Sequence, residues 1–183
     1  MTTTTPTQRV THALWAALLT ALVTACQGSG SDGPRTTYED DHVSLRALPG
    51  WQARHEREVL VLVGPESAGL QDTTISIHSV PVEGDWVDPR TPETVIPATA
   101  KVLAALPQAR LAPVRDAGHP RYRGQVFDVT FVPRGKQQPY QRRHAVLVGK
   151  SRVYHIWLTA PDGRLEPTAH LFSDVVASVR EEV

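Results

Sequence analysis

Hydrophobic and polar positions alternate along most of the chain after residue 40, and the period of that alternation changes element by element. Val43 and Leu45 alternate with Ser44 and Arg46, the two-residue period of a half-buried strand. Leu48-Pro49-Gly50-Trp51 then reads as a turn, with Pro and Gly adjacent. Val59-Leu60-Val61-Leu62-Val63 is a continuous apolar run closed by Gly64-Pro65, which predicts a strand buried on both faces. Ile75 and Ile77 alternate with Ser76 and His78, predicting a strand with one wet face. Three strands are thus expected before the first helix.

That helix is expected after Thr91-Pro92-Glu93, a capping sequence with Pro at the first helical position. Val95, Thr99, Val102 and Leu106 form its apolar stripe and Pro107 ends it. Pro97 is awkward inside a helix, so the regular part is expected to start near it. Phe127, Val129 and Phe131 return to strand period, and 145–148 and 153–158 flank Gly149-Lys150 as a hairpin. Pro167 opens a last helix with the stripe Leu171, Phe172, Val175, Val176 and Val179. The order strands, helix, strands, helix does not alternate strand with helix. It predicts an α+β fold, an antiparallel sheet flanked by helices, in one domain over 38–183.

Residues 13–23 are apolar apart from Thr20. Such a run is too short to cross a bilayer as a helix, which takes about 20 residues, but it suits the core of a signal peptide. Arg9 supplies the preceding charge. Val23-Thr24-Ala25-Cys26 closes the segment and resembles a lipobox, in which the cysteine is acylated and becomes the first residue. Residues 1–25 are therefore expected to be a lipoprotein signal peptide and 26–37 a lipidated cysteine and flexible tether, Gln27 to Pro34 being rich in Gly and Ser. Each buried methylene contributes about 0.8 kcal/mol, so fatty acyl chains such as palmitate hold a protein durably. Gln27 stands where an aspartate would signal inner-membrane retention. The resemblance thus implies an outer-membrane anchor with the domain facing the periplasm.

Val43-Ser44-Leu45-Arg46-Ala47-Leu48-Pro49-Gly50-Trp51 resembles the opening strand and turn of PsbP-like and DcrB-like domains. Phe172-Ser173-Asp174-Val175-Val176-Ala177-Ser178-Val179-Arg180 resembles their closing helix, and the element order between agrees. The resemblance implies an antiparallel sheet with flanking helices. It implies partner binding without chemistry, since such domains serve as envelope lipoproteins, photosystem accessory proteins, small-GTPase binders and chaperones.

Composition adds limits rather than a function. The 183 residues are 40% hydrophobic and 21% charged, with formal net charge zero. A neutral chain presents no electrostatic footprint for nucleic acid. The single cysteine rules out an internal disulfide, and about 145 residues can bury a core without one.

Among candidate sites, His144 and His155 stand out. If Gly149-Lys150 is a two-residue loop, Val148 pairs with Ser151 and the two imidazoles lie directly opposite, close enough to share a metal. A three-residue loop would put them on opposite faces. Hydrogen-bonded or solvated sheet histidines are the preferred reading, because no further ligands are evident. Glu39-Asp40-Asp41-His42 reads as a solvated turn, lacking the spaced glycine of a calcium loop. His55-Glu56-Arg57-Glu58 lacks the second histidine of a zinc protease motif. His170 falls on the polar side of its helix. Trp86, in the polar segment Glu83–Pro89, either anchors a partner or covers a core edge. No nucleophile, base and orienter can be placed together, so no enzyme is expected and no cofactor is implied. The expected function is a lipid-anchored envelope protein that binds a macromolecular partner, an envelope protein, or assists assembly at the membrane. A metal- or small-ligand-binding lipoprotein is the alternative.

Overall fold

The computed structural model of the chain describes residues 34–82, 88 and 90–182; Cys26 and Trp86 lie outside them. Among the described residues, eleven strands and two α-helices follow the expected order, with a helix after the first five strands and another after the hairpins. A small sheet runs β1 (Arg35–Tyr38), β2 (Val43–Arg46) and β11 (Arg180–Glu181). A large sheet runs β3 (Gln52–Glu56), β4 (Val59–Val63), β5 (Thr74–Pro81), β10 (Arg152–Pro161), β9 (Tyr140–Val148), β8 (Arg123–Phe131) and β6 (Arg110–Leu111), with β7 (Arg115–Asp116) also on β8. Every pairing is antiparallel. The architecture is α+β.

The two faces of the large sheet carry separate cores. On one, Leu60, Ile77, Tyr154, Ile156 and Leu147 pack with Val43 and Leu45 of β2 and with α2 (Ala169–Ser178). Phe172, Val175, Val176 and, just past the helix end, Val179 are buried there, while Leu171 of the expected stripe is only partly buried and His170 is exposed. On the other face, Phe127, Val129, Phe131, Val146 and Val153 pack with Leu103 of α1 (Thr91–Ala104). Leu48-Pro49-Gly50-Trp51 turns as expected, Trp51 N–H donating to the Leu48 carbonyl with Gly50 at φ +80°.

Several elements differ from the pattern. β1 takes in Arg35, Thr36 and Thr37, which the composition assigns to the tether. The polar chain is held there because the Arg35 guanidinium donates to Ser44 and to the Ser178 carbonyl. Ser44 is buried by the same contact, so β2 is covered on both faces rather than half-buried. Helix α1 begins at Thr91 and runs through Pro97, which sits on its exposed side. Its stripe is rotated from the expected one: Leu103 is buried and Val102 is 67% exposed. The last helix starts at Ala169, after a 3₁₀ turn at Glu166–Thr168 that holds Pro167, and ends at Ser178 rather than Arg180.

The C-terminus fastens the β9–β10 hairpin. The Glu181 carboxylate accepts from the N–H groups of Lys150 (2.6 Å) and Ser151 (2.9 Å) and from the Ser151 hydroxyl. A Cβ at Gly149 would stand 2.6 Å from that carboxylate and 3.0 Å from the Arg152 carbonyl oxygen, so a larger residue there would require the Glu181 side chain to shift. Glu181→Gln, which leaves one of the paired N–H donors facing an amide, is expected to lower stability by about 1 kcal/mol, read from denaturant midpoints. An unchanged midpoint would show that the hairpin closes without the carboxylate.

Candidate functional site

Strand register, not sequence proximity, builds the site. The tight turn closes on Lys150-Ser151, with Gly149 N–H donating to the Arg152 carbonyl at 2.8 Å. Val148 therefore pairs with Val153, and His144 lies opposite Trp157, not opposite His155. The shift from the Gly149-Lys150 loop is two residues, so both imidazoles stay on the face toward α1 as diagonal neighbours. Their nitrogens still meet, His144 Nε2 to His155 Nδ1 at 3.2 Å, with the rings perpendicular. His155 in turn pairs across β5 with His78, ring centroids 6.5 Å apart.

His144 is 7% exposed, and its ring stacks on Trp157 with centroids 5.4 Å apart. Its Nδ1 has no hydrogen-bond partner among the described residues. Burial, then His155 and Arg142, push its pKa down to about 3, and burial lowers His155 as well. Both rings are neutral at physiological pH, the form that could ligate a metal. Two ligands are too few for a structural zinc site, however, and no set of three or more His, Cys, Asp or Glu is placed to hold a metal among the described residues.

Arg142 stands two residues before His144 on the same face. Its guanidinium carbon lies 5.2 Å from the Phe131 ring centre and 5.7 Å from that of Trp157. Among the described residues its one hydrogen bond is Nε donating to the Thr159 hydroxyl, at 3.2 Å. Burial lowers its pKa, and no described carboxylate pairs with it. Its neighbour Arg143, on the opposite face, is paired with both Asp128 and Glu166. Strand period could have separated these two arginines, since adjacent residues face opposite ways; it could not have shown which one has an acid.

Above Arg142, His144, His155 and Trp157 lies a groove of about 330 Å³. Its other wall is α1, through Val95, Ala98, Val102 and Leu103. The rotated stripe of α1 explains the groove: Leu103 reaches the sheet, while Val102 is left at the rim.

A second, larger cleft of about 500 Å³ lies by the β3–β4 turn and the end of β5. Here Asp41, expected in a solvated turn, is 5% exposed, and its carboxylate meets His55 Nε2 at 2.8 Å. His42, in left-handed conformation (φ 50°), closes the turn with its N–H donating to the Glu39 carbonyl. His55 itself lies on edge strand β3, as its place between strand signals suggests. The cleft mixes Asp40, Glu58, Arg57 and Arg152, charges of both signs, with Val80 and Pro81 of β5.

With the geometry in place, comparison with solved structures identifies the fold. The chain is similar to LpqN of Mycobacterium tuberculosis, a protein involved in cell envelope biogenesis (TM-score 0.61, 15% identity, 77% of this chain and 83% of that one). It is likewise similar to cyanobacterial PsbP of Synechocystis sp. PCC 6803 (TM-score 0.58, 14% identity, 87% of this chain and 98% of that one). The fold is PsbP-like. A Bacteroides thetaiotaomicron protein matches with TM-score 0.56 at 12% identity over 82% of this chain, which spans only 49% of that protein's length. At these identities the likeness concerns the fold alone. No protein-family model matches the chain, and no curated protein resembles it in sequence.

Proposed function

We propose that the protein is a non-catalytic envelope lipoprotein, anchored through lipid on Cys26, whose PsbP-like domain binds an envelope protein or assists assembly at the membrane. The observation that carries this reading is Val23-Thr24-Ala25-Cys26, set directly behind the apolar run 13–23 and holding the only cysteine of the chain. Two further observations agree with it. The first described strand begins at Arg35, nine residues past Cys26, a spacing that a Gly/Ser tether spans easily. LpqN, which shares the fold, is involved in cell envelope biogenesis. No described helix is long and apolar enough to cross a membrane. Gln27, in place of a retention aspartate, favours the outer membrane.

The test is metabolic labelling. Full-length protein expressed in a bacterium that acylates lipoproteins should incorporate radioactive palmitate and partition into detergent. Cys26→Ser should lose at least nine-tenths of the label. Equal labelling of the two would exclude Cys26 as the anchor.

A further inference from the structure

We propose that the groove between α1 and the large sheet binds a single-chain amphiphile with a carboxylate head, a free fatty acid, whose charge is held by Arg142. The inference does not depend on Cys26 or on the partner proposed above. It rests on how charge and apolar surface are distributed around one small space.

A guanidinium carries five N–H donors and keeps its charge at any physiological pH. In Arg142 one donor reaches Thr159, and the remaining partners are the faces of Phe131 and Trp157. Part-buried cations are ordinarily matched by an acid, as Arg143 is by Asp128 and Glu166 on the other side of the same strand. Arg142 has no such acid among the described residues, so the complementary charge is left for a ligand to bring. A carboxylate matches the planar fork in a bidentate fashion and gives the stronger, charge-assisted hydrogen bonds.

The remainder of the space fits an alkyl chain. Val95, Ala98, Val102 and Leu103 present aliphatic carbon from α1, opposite the indole of Trp157. The volume of about 330 Å³ lies at the lower end of small-molecule pockets. Val102, two-thirds exposed, is an apolar side chain that a bound chain would cover. His144 adds a second signal at the floor: a buried ring with one nitrogen unpartnered.

The experiment uses the full-length chain carrying Cys26→Ser, which has no acyl group of its own to compete. A bromine atom quenches indole fluorescence only at short range, so 2-bromododecanoate, whose bromine sits beside the carboxylate, reports the approach of the head group to Trp157, next to Arg142. Saturable quenching with a one-to-one endpoint is expected, and Trp157→Phe should remove that component despite the other three tryptophans. Arg142→Met should weaken binding at least tenfold, as should replacing the carboxylate by the hydroxyl of 2-bromododecan-1-ol. Val102→Glu, at a position two-thirds exposed, should weaken it at least tenfold by placing a negative charge at the rim. Absence of saturable quenching would overturn the proposal. So would equal affinity for acid and alcohol, or undiminished binding by the Val102→Glu protein.

Discussion

Phe172→Ala is expected to destabilise the protein by about 3–5 kcal/mol, while His170→Ala leaves stability unchanged to within about 0.5 kcal/mol. Phe172 is 1% exposed and lies between α2 and the core shared by β2 and the large sheet. Removing its ring takes away buried apolar area and leaves a space that neighbours on two sheets must collapse into. That collapse is restricted here, because Arg46 N–H donates to the Ser178 hydroxyl and Arg35 to the Ser178 carbonyl, fixing α2 over β2. Domains of this size have a total stability of about 5–15 kcal/mol, so the loss is a large share of it. His170 is exposed and two positions away on the same helix, which makes it a control for helix propensity and composition. Thermal or denaturant unfolding of both variants decides the matter. A Phe172→Ala midpoint equal to that of the parent would contradict the placement of α2 over the sheet.

Acid should weaken the fold through His144. Its pKa is 6.5 in an unfolded chain and about 3 when folded, so between those values the unfolded state binds a proton that the native state refuses. Stability from this site is complete above about pH 6.5 and falls as pH drops toward 3. At pH 5 the loss from this one group is about 2 kcal/mol, since each pKa unit corresponds to about 1.36 kcal/mol. Burial is the leading cause. His155 and Arg142, both cationic or potentially so and both close, oppose a second charge further. His155, also lowered by burial and by His78, adds in the same direction. The His144→Phe variant should therefore lose distinctly less stability than the parent between pH 7 and pH 5, whatever its stability at pH 7. Parallel stability–pH curves for the two proteins would show that His144 titrates normally.

Much of this architecture was legible in the order of residues, and the failures have a common cause. Apolar alternation marks a strand or helix that buries one side, so β4, β5, β8, β9, β10 and α2 could be located from Val59–Val63, Ile75/Ile77, Phe127/Val129 and the Phe172–Val179 stripe. Strand β3, Gln52–Glu56, is exposed at every residue, and an edge strand with no buried side leaves no such mark. β1 is held by arginine hydrogen bonds rather than by apolar packing, and looked like tether for the same reason. In α1, Val102 and Leu103 differ by 100° around the axis, and either fits a 3.6-residue period; only the neighbouring sheet chooses between them. The site depended on register. A two-residue shift in the hairpin keeps His144 and His155 on one face but changes which residue each faces, and the turn at Lys150-Ser151 is hydrogen-bonded by Glu181, about thirty residues downstream, which no local pattern shows. Asp41 buries against His55 for a similar reason, a contact between elements that no local pattern announces.

The central claim is that the chain is cut before Cys26 and held by lipid on that cysteine. The direct measurement is the intact mass, with N-terminal fragmentation, of full-length protein extracted by detergent from the membranes of a lipoprotein-processing bacterium. The account predicts a chain beginning at Cys26, heavier than its unmodified mass by a diacylglyceryl group with or without a further acyl chain, the added mass residing on that residue. A chain that retains residues 1–25, or one cut elsewhere with Cys26 unmodified, would contradict it.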